Sequence, residues 1–290
     1  MTRPPQSVLN QEGWTLLSVL QENERGGVYK VQAPQGNLAI KVLINSRSAR
    51  MEYEFQTSLW RAGFNTAQPI KIIEMRSGAC IASEFLVGES IGHLIDDFNC
   101  DTYATSSLEL MNELHSFASS PPIRVYLDTL CNSGRTISNF EYSLKSAGLW
   151  PNLPKFNYVK STIENTITNY NKHSILHGDI NSSNIIDLGN RKLKLIDFGS
   201  IMAGPECVDH ARCLLMICYA SPSPVKIHDI CSKYINYFME EDVIRIYSWA
   251  CILVYADIQT MDLLSDSSIV DRNNKAGILQ YFLSRVDELR

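Results

Sequence analysis

Residues 174–200 read SILHGDINSSNIIDLGNRKLKLIDFGS, and the architecture of the chain turns on how this stretch is laid out. Two short β-prone runs, 184–187 and 193–196, flank the Leu-Gly-Asn-Arg sequence of residues 188–191. Such runs around a Gly-Asn turn read as a hairpin. Oxygen-bearing side chains sit on both sides of it. His177, Gly178, Asp179 and Asn184 precede the turn, and Asp197, Phe198 and Gly199 follow it. Asp179 and Asn184 share one loop, five positions apart, and the hairpin should return the chain so that Asp197 ends its second strand beside them.

This residue set suits one chemistry. Transfer of a phosphoryl group from a nucleotide needs one carboxylate to orient the acceptor hydroxyl and take its proton. It needs a second to hold the metal that neutralises the phosphate oxygens. An Asn can give that metal a neutral oxygen. Asp179, Asp197 and Asn184 suit these three roles. Mg²⁺ also favours few carboxylates, completed by phosphate oxygens and water.

Read together, His-Gly-Asp, four residues, Asn, and then Ile-Asp-x-Gly resemble the catalytic and metal loops of the aminoglycoside phosphotransferase and choline kinase superfamily. Its members share the protein-kinase fold. The resemblance implies a bilobal α+β architecture, with a small antiparallel β-rich N-lobe and a larger, mostly helical C-lobe. It implies ATP or GTP as donor, Mg²⁺ as cofactor, Asp179 as catalytic residue, and Asn184 and Asp197 as metal ligands. His177 would then support the loop rather than act as a base.

Working outward, the first 90 residues read as strand-rich. Strands are expected near 14–20, 27–33, 37–44, 70–74 and 80–86, with a helix over 46–62. Lys41 lies within the apolar run NLAIKVLI at 37–44, where an unpaired ammonium would be unfavourable. Its setting resembles the kinase motif Val-Ala-Ile-Lys, which implies phosphate contact and a helix Glu partner. Glu52 and Glu54 both qualify. Glu52 is preferred because Phe55 and Leu59 then follow at +3 and +7. Gly26 and Gly27 occupy the place of a nucleotide-covering loop, although two adjacent glycines also make a plain turn. Residues 82–90, ASEFLVGES, resemble the family's connector, where Glu84 and Leu86 would meet the base through backbone groups.

Domains are expected at 1–87 and 88–290, with a ligand cleft between lobes. Beyond residue 88 the chain turns helical. Leu108, Met111, Leu114 and His115 fall on one helix face. Residues 119–160 are rich in Ser, Pro and Asn and resist reading. From Asp209 onward the pattern is helical, with breaks expected at 221–224 and near 266–268. Asp209 itself reads as a structural residue capping its helix, and His115 as packing between lobe elements.

Composition bounds the partners. The chain of 290 residues carries 26 Lys and Arg against 31 Asp and Glu, a formal charge of −5, with no basic run. That excludes an obvious nucleic-acid footprint. The acidic surplus suits a cationic acceptor, and it equally suits ordinary solubility. Glu240, Glu241, Asp242, Asp257 and Asp262 are the acidic residues available to such an acceptor. Eight cysteines without CxxC spacing suggest a reducing compartment. No apolar run is long enough to span a bilayer, and the N-terminus lacks a signal-peptide core, so cytoplasm is expected.

Two departures from protein kinases bear on the acceptor. No Ala-Pro-Glu follows the metal loop, and Asn181 stands where those kinases favour Lys. The expected function is therefore transfer of the γ-phosphate to a small-molecule hydroxyl, with no nucleic-acid or membrane partner. A protein Ser/Thr kinase and a catalytically silent pseudokinase are the alternatives.

Overall fold

The structure, a computed structural model, describes residues 6–23, 26–96, 98–118, 120–169, 174–220, 224–264 and 269–290. Of the break expected at 221–224, residues 221–223 lie outside the described residues and Pro224 opens a helix; the break expected near 266–268 also lies outside them. In chain order the elements are α1 (Gln6–Glu12), β1 (Thr15–Asn23), β2 (Gly26–Ala33), β3 (Gly36–Leu43), α2 (Ser46–Arg61), β4 (Pro69–Met75) and β5 (Gly78–Glu84). Then come β6 (Glu89–Ser90), α3 (Ile91–Leu94), α4 (Cys100–Ala118), α5 (Pro121–Asn132), α6 (Ile137–Ser146) and α7 (Asn157–Asn169). The chain continues with β7 (Ser174–Leu176), β8 (Ile185–Asp187), β9 (Leu193–Leu195) and β10 (Met202–Gly204). It ends in α8 (Cys207–Ala220), α9 (Pro224–Ile235), α10 (Glu240–Leu264) and α11 (Ile269–Glu288).

Contacts divide the chain into two compact units. One comprises residues 1–89 together with 186–199, and the other residues 90–185 and 200–290. The hairpin carrying Asp197 thus packs with the first 89 residues, although it is separated from them in sequence. The physical reason is local pairing. Leu195 donates its N–H to Asn65 O at 2.9 Å, and Lys194 pairs with Glu84 at 3.2 Å.

The first unit is built on an antiparallel sheet of order β1-β2-β3-β5-β4. Strand side chains alternate between faces, and here both faces are covered. Leu38, Ile40 and Val42 of β3 join Cys80 and Ala82 of β5 in one cluster with Val8, Leu9 and Trp14. The intervening Ala79 and Ile81 pack with Ala49 of α2 and with Leu43. Lys41 lies between Ile40 and Val42, so the alternation turns it to the α2 face. The β8–β9 turn has positive φ at Asn190 (56°) and Arg191 (60°), as a two-residue hairpin turn requires.

The second unit is helical. α8 is buried at nearly every position from Cys207 to Cys218, as befits a central helix apolar on all sides. α10, α4 and α9 pack against it. Trp249, Tyr234, Tyr247, Phe156 and Phe282 are this unit's bulkiest fully buried side chains among the described residues. The region 119–160 resolves into α5, α6 and the start of α7. Its polar residues are helix starts and stops. Pro121 opens α5 after Ser120, and Thr136 caps α6 by accepting the Asn139 N–H. Among the described residues no helix is long and apolar enough to cross a membrane.

Candidate active site

In the first unit three residues from distant segments meet. Lys41 Nζ lies 2.7 and 2.9 Å from the two carboxylate oxygens of Glu52, and 2.6 Å from Asp197 Oδ1. Burial alone would push the lysine's pKa down. The Glu52 and Asp197 charges outweigh burial and raise it, so the ammonium is held charged. Glu52 shares the buried face of α2 with Ala49, Phe55, Gln56 and Leu59, while Glu54 is exposed. The helical period therefore selects Glu52 as the lysine's partner.

Asp197 adopts a left-handed backbone conformation (φ 65°) two residues past the end of β9. Strain of this kind in a non-glycine residue is costly and recurs at functional sites. The Gly199 N–H donates to Asp197 Oδ1 at 3.3 Å. A Cβ on Gly199 would stand 3.1 Å from Glu52 Oε2 and 3.2 Å from Lys41 Nζ. Glycine is what lets the chain pass this close to the ion cluster. Phe198 is fully buried, edge-on to Phe55 (5.6 Å between ring centroids) and Phe64 (6.5 Å).

Gly26 and Gly27 line a cavity of about 120 Å³ together with Lys41 and Asp197. They begin strand β2 rather than forming a free loop, paired to Leu43 and Val42. A Cβ on Gly26 would fall 2.1 Å from Val42 O. Glu84 ends β5, with its carboxylate engaged by Lys194 and by the Gln68 N–H. The Leu86 N–H has no backbone acceptor among the described residues.

In the second unit, Asn184 Nδ2 donates to the backbone oxygen of Asp179 at 2.9 Å and approaches its carboxylate at 3.4 Å. This leaves Asn184 Oδ1 without a donor among the described residues. The loop is pinned from beneath by Asp209. Its carboxylate accepts the N–H groups of His177 (2.7 Å) and Gly178 (3.0 Å) and lies 3.2 Å from His115 Nε2. Asp209 is therefore no simple helix cap. It stands in the first turn of α8, and its side chain reaches the backbone of His177 and Gly178 instead. His115 acts within this unit as that carboxylate's partner, not as packing between lobes. Burial would raise the Asp209 carboxyl, but His115 and the loop donors hold it below its ordinary value. Asp179 N–H donates to His177 Nδ1 at 3.3 Å, which gives His177 the supporting position expected of it.

Asp179 lines a cavity of about 400 Å³ with Asn181, Ser182, Arg212, Tyr219 and Asp257. Of the acidic residues offered to a cationic acceptor, only Asp257 is found there. Glu241 and Asp242 pair with Arg245, Glu240 is exposed in the first turn of α10, and the Asp262 side chain lies outside the described residues. Arg212 and Tyr219 were not anticipated. The signal was a lone arginine beside the apolar run CLLMIC, one helical turn short of Met216 and two short of Tyr219.

No family model matches the sequence, and no curated protein matches it. Solved structures do. An aminoglycoside-3'-phosphotransferase of type VIII is similar at 17% identity and a TM-score of 0.59, over 87% of this chain and 97% of that one. A spectinomycin phosphotransferase in complex with ADP and spectinomycin is similar at 12% identity and TM-score 0.57, over 99% and 95%. The macrolide 2'-phosphotransferase MphH from Brachybacterium faecium is similar at 12% identity and TM-score 0.60, over 93% and 96%. The fold is that of the aminoglycoside phosphotransferases. Within this phosphotransferase fold, the expected α+β, kinase-like architecture is what the chain adopts, with its antiparallel sheet N-terminal and its helices C-terminal.

Proposed function

We propose that this protein is an ATP-dependent kinase of a small-molecule hydroxyl. The observation that carries the reading is the Lys41 ammonium, held by both Glu52 and Asp197 from segments 11 and 156 positions away. A half-buried lysine so arranged suits contact with nucleotide phosphates, and the small cavity it lines with Gly26 and Gly27 supports that role. The Leu86 N–H, without a backbone acceptor among the described residues, suits a base edge.

Asp179 is assigned as the catalytic residue. Its carboxylate accepts the acceptor's hydroxyl proton as the oxygen bonds to the γ-phosphorus. The bond from that phosphorus to the β–γ bridging oxygen breaks, and ADP leaves. Asn184 Oδ1 and the Asp197 carboxylate are hard oxygen donors that fit Mg²⁺, and we assign them as its ligands. When bound, the ion would neutralise phosphate charge. All eight thiols are free and all but Cys131 are buried, which suits a reducing, ATP-supplied compartment such as the cytoplasm.

The test is Asp179→Ala. Turnover should fall by about 10²- to 10⁴-fold, while ADP affinity, measured by isothermal titration, stays close to wild type. Turnover that survives the substitution rules out Asp179 as the base. Phosphate appearing on an added polypeptide rather than on a small alcohol would favour a protein kinase.

A further inference from the structure

The 400 Å³ cavity is lined by one cation that has no carboxylate partner among the described residues. Arg212, on α8, lines it beside Asp179. Its Nε is buried without a hydrogen-bond partner, and among the described residues no carboxylate pairs with the guanidinium. The guanidinium carbon instead sits 5.3 Å from the centre of the Phe140 ring. A ring face holds the group in place but offers no acceptor for its N–H fork.

Asp257, across the same cavity, is already occupied. Tyr219 Oη donates to Asp257 Oδ2 at 2.7 Å, and Lys275 Nζ lies 3.7 Å from the same oxygen. Lys275 also stacks 4.7 Å from the centre of the Tyr219 ring. Once Asp257 is matched by Lys275, the cavity's remaining charges are Asp179, assigned to the hydroxyl, and Arg212.

We infer that the acceptor is an alcohol carrying an oxyanion, a carboxylate or a phosphate, which Arg212 grips while Asp179 faces its hydroxyl. The inference rests on the phosphotransferase reading above and narrows it. Arginine presents parallel N–H donors that match both oxyanions, and it keeps its charge at any working pH. The volume agrees with a small acceptor. It equals roughly 13 waters at about 30 Å³ each, near the lower end of ligand-site sizes of about 300–1,000 Å³. A polycationic acceptor would meet Arg212 as a like charge and would have to share Asp257 with Lys275 and Tyr219.

Nucleotide consumption is to be measured with glycerate, gluconate and glycerol 3-phosphate, against choline, kanamycin and glucose. One or more anionic alcohols should be accepted in preference to the cationic and neutral ones, and the carboxylate and phosphate arms identify which oxyanion is used. Arg212→Gln should raise KM for the accepted anion more than 10-fold, and Arg212→Lys should fall between it and wild type. Preference for choline, kanamycin or glucose overturns the inference, as does an unchanged KM in Arg212→Gln. If ADP fails to bind the wild-type protein, it is the phosphotransferase reading that fails. The same six compounds are then titrated calorimetrically into the wild type and Arg212→Gln. Anion binding lost in the variant still supports the Arg212 site, and no difference between the two proteins removes it. A thermal melt of each variant separates loss of the site from loss of folding.

Discussion

A single carboxylate pins the loop that carries Asp179. Asp209 is fully buried, and its charge is tolerable because two backbone N–H groups and His115 converge on it. Replacing it by Asn turns one acceptor oxygen into a donor facing donors. Asp209→Asn should cost about 3 kcal/mol, the scale at which a buried charged group loses its match, read as a lower midpoint in urea unfolding. Turnover should fall as well, because Gly178 immediately precedes Asp179. A change under about 0.5 kcal/mol, as for an ordinary surface substitution, would show that the loop is held by other means. At this scale the sequence was legible wherever a residue conflicted with its surroundings. Lys41 in an apolar strand needed a partner, and helical spacing singled out Glu52. Asp209 was illegible in its detail, because whether a first-turn Asp caps its own helix or reaches another loop depends on packing that sequence spacing does not encode. Arg212 was passed over for a related reason: one arginine in a helix is usually a solvated residue, and only the cavity distinguishes this one.

Among the elements, the β8–β9 hairpin and helix α2 depend on each other through one ring. Phe198 follows the strained Asp197 and packs fully buried between Phe55 of α2 and Phe64. Phe198→Ala should destabilise by about 3–5 kcal/mol through the cavity it leaves, measured by denaturant unfolding. ADP affinity should weaken in step, because the substitution frees the turn that holds Asp197 against Lys41. Unaltered ADP affinity at a lowered unfolding midpoint would separate the packing from the site. The strands and α2 were readable because period-2 and period-3.6 patterns are strong in a sheet buried on both faces. α5 and α6 were not, since their Ser, Thr, Pro and Gly serve as caps and stops, and these residues are also the ordinary signature of a loop. The hairpin itself was legible, but its membership in the first unit was not. That rests on the Leu195 backbone bond to Asn65 and the Lys194 pair with Glu84, contacts between segments more than 100 positions apart.

At the scale of the whole molecule, acid stability should hinge on one histidine. His210 is buried on α8, with Nδ1 3.1 Å from the Tyr234 hydroxyl and its ring against His115 and Phe238. Burial, with a further push from His115, lowers its pKa to about 3, while the neighbouring Asp209 charge acts weakly the other way. The unfolded chain binds this proton near 6.5 and the folded chain does not. Stability from His210 is therefore complete above about pH 6.5 and drains as pH falls toward 3. At about 1.4 kcal/mol per pH unit, roughly 2 kcal/mol should be lost between pH 7.5 and 5.0. Asp209, whose carboxyl is depressed in the folded state, contributes stability that is present above its ordinary value and lost only below it, so it does not enter that window. His210→Phe removes the titration and the Tyr234 contact together, and its absolute stability will differ from wild type. The quantity that matters is the change between the two pH values, measured by urea unfolding of both proteins. The wild type should lose about 2 kcal/mol more than the variant over this interval. Parallel losses would mean that acid reaches the fold through some other group.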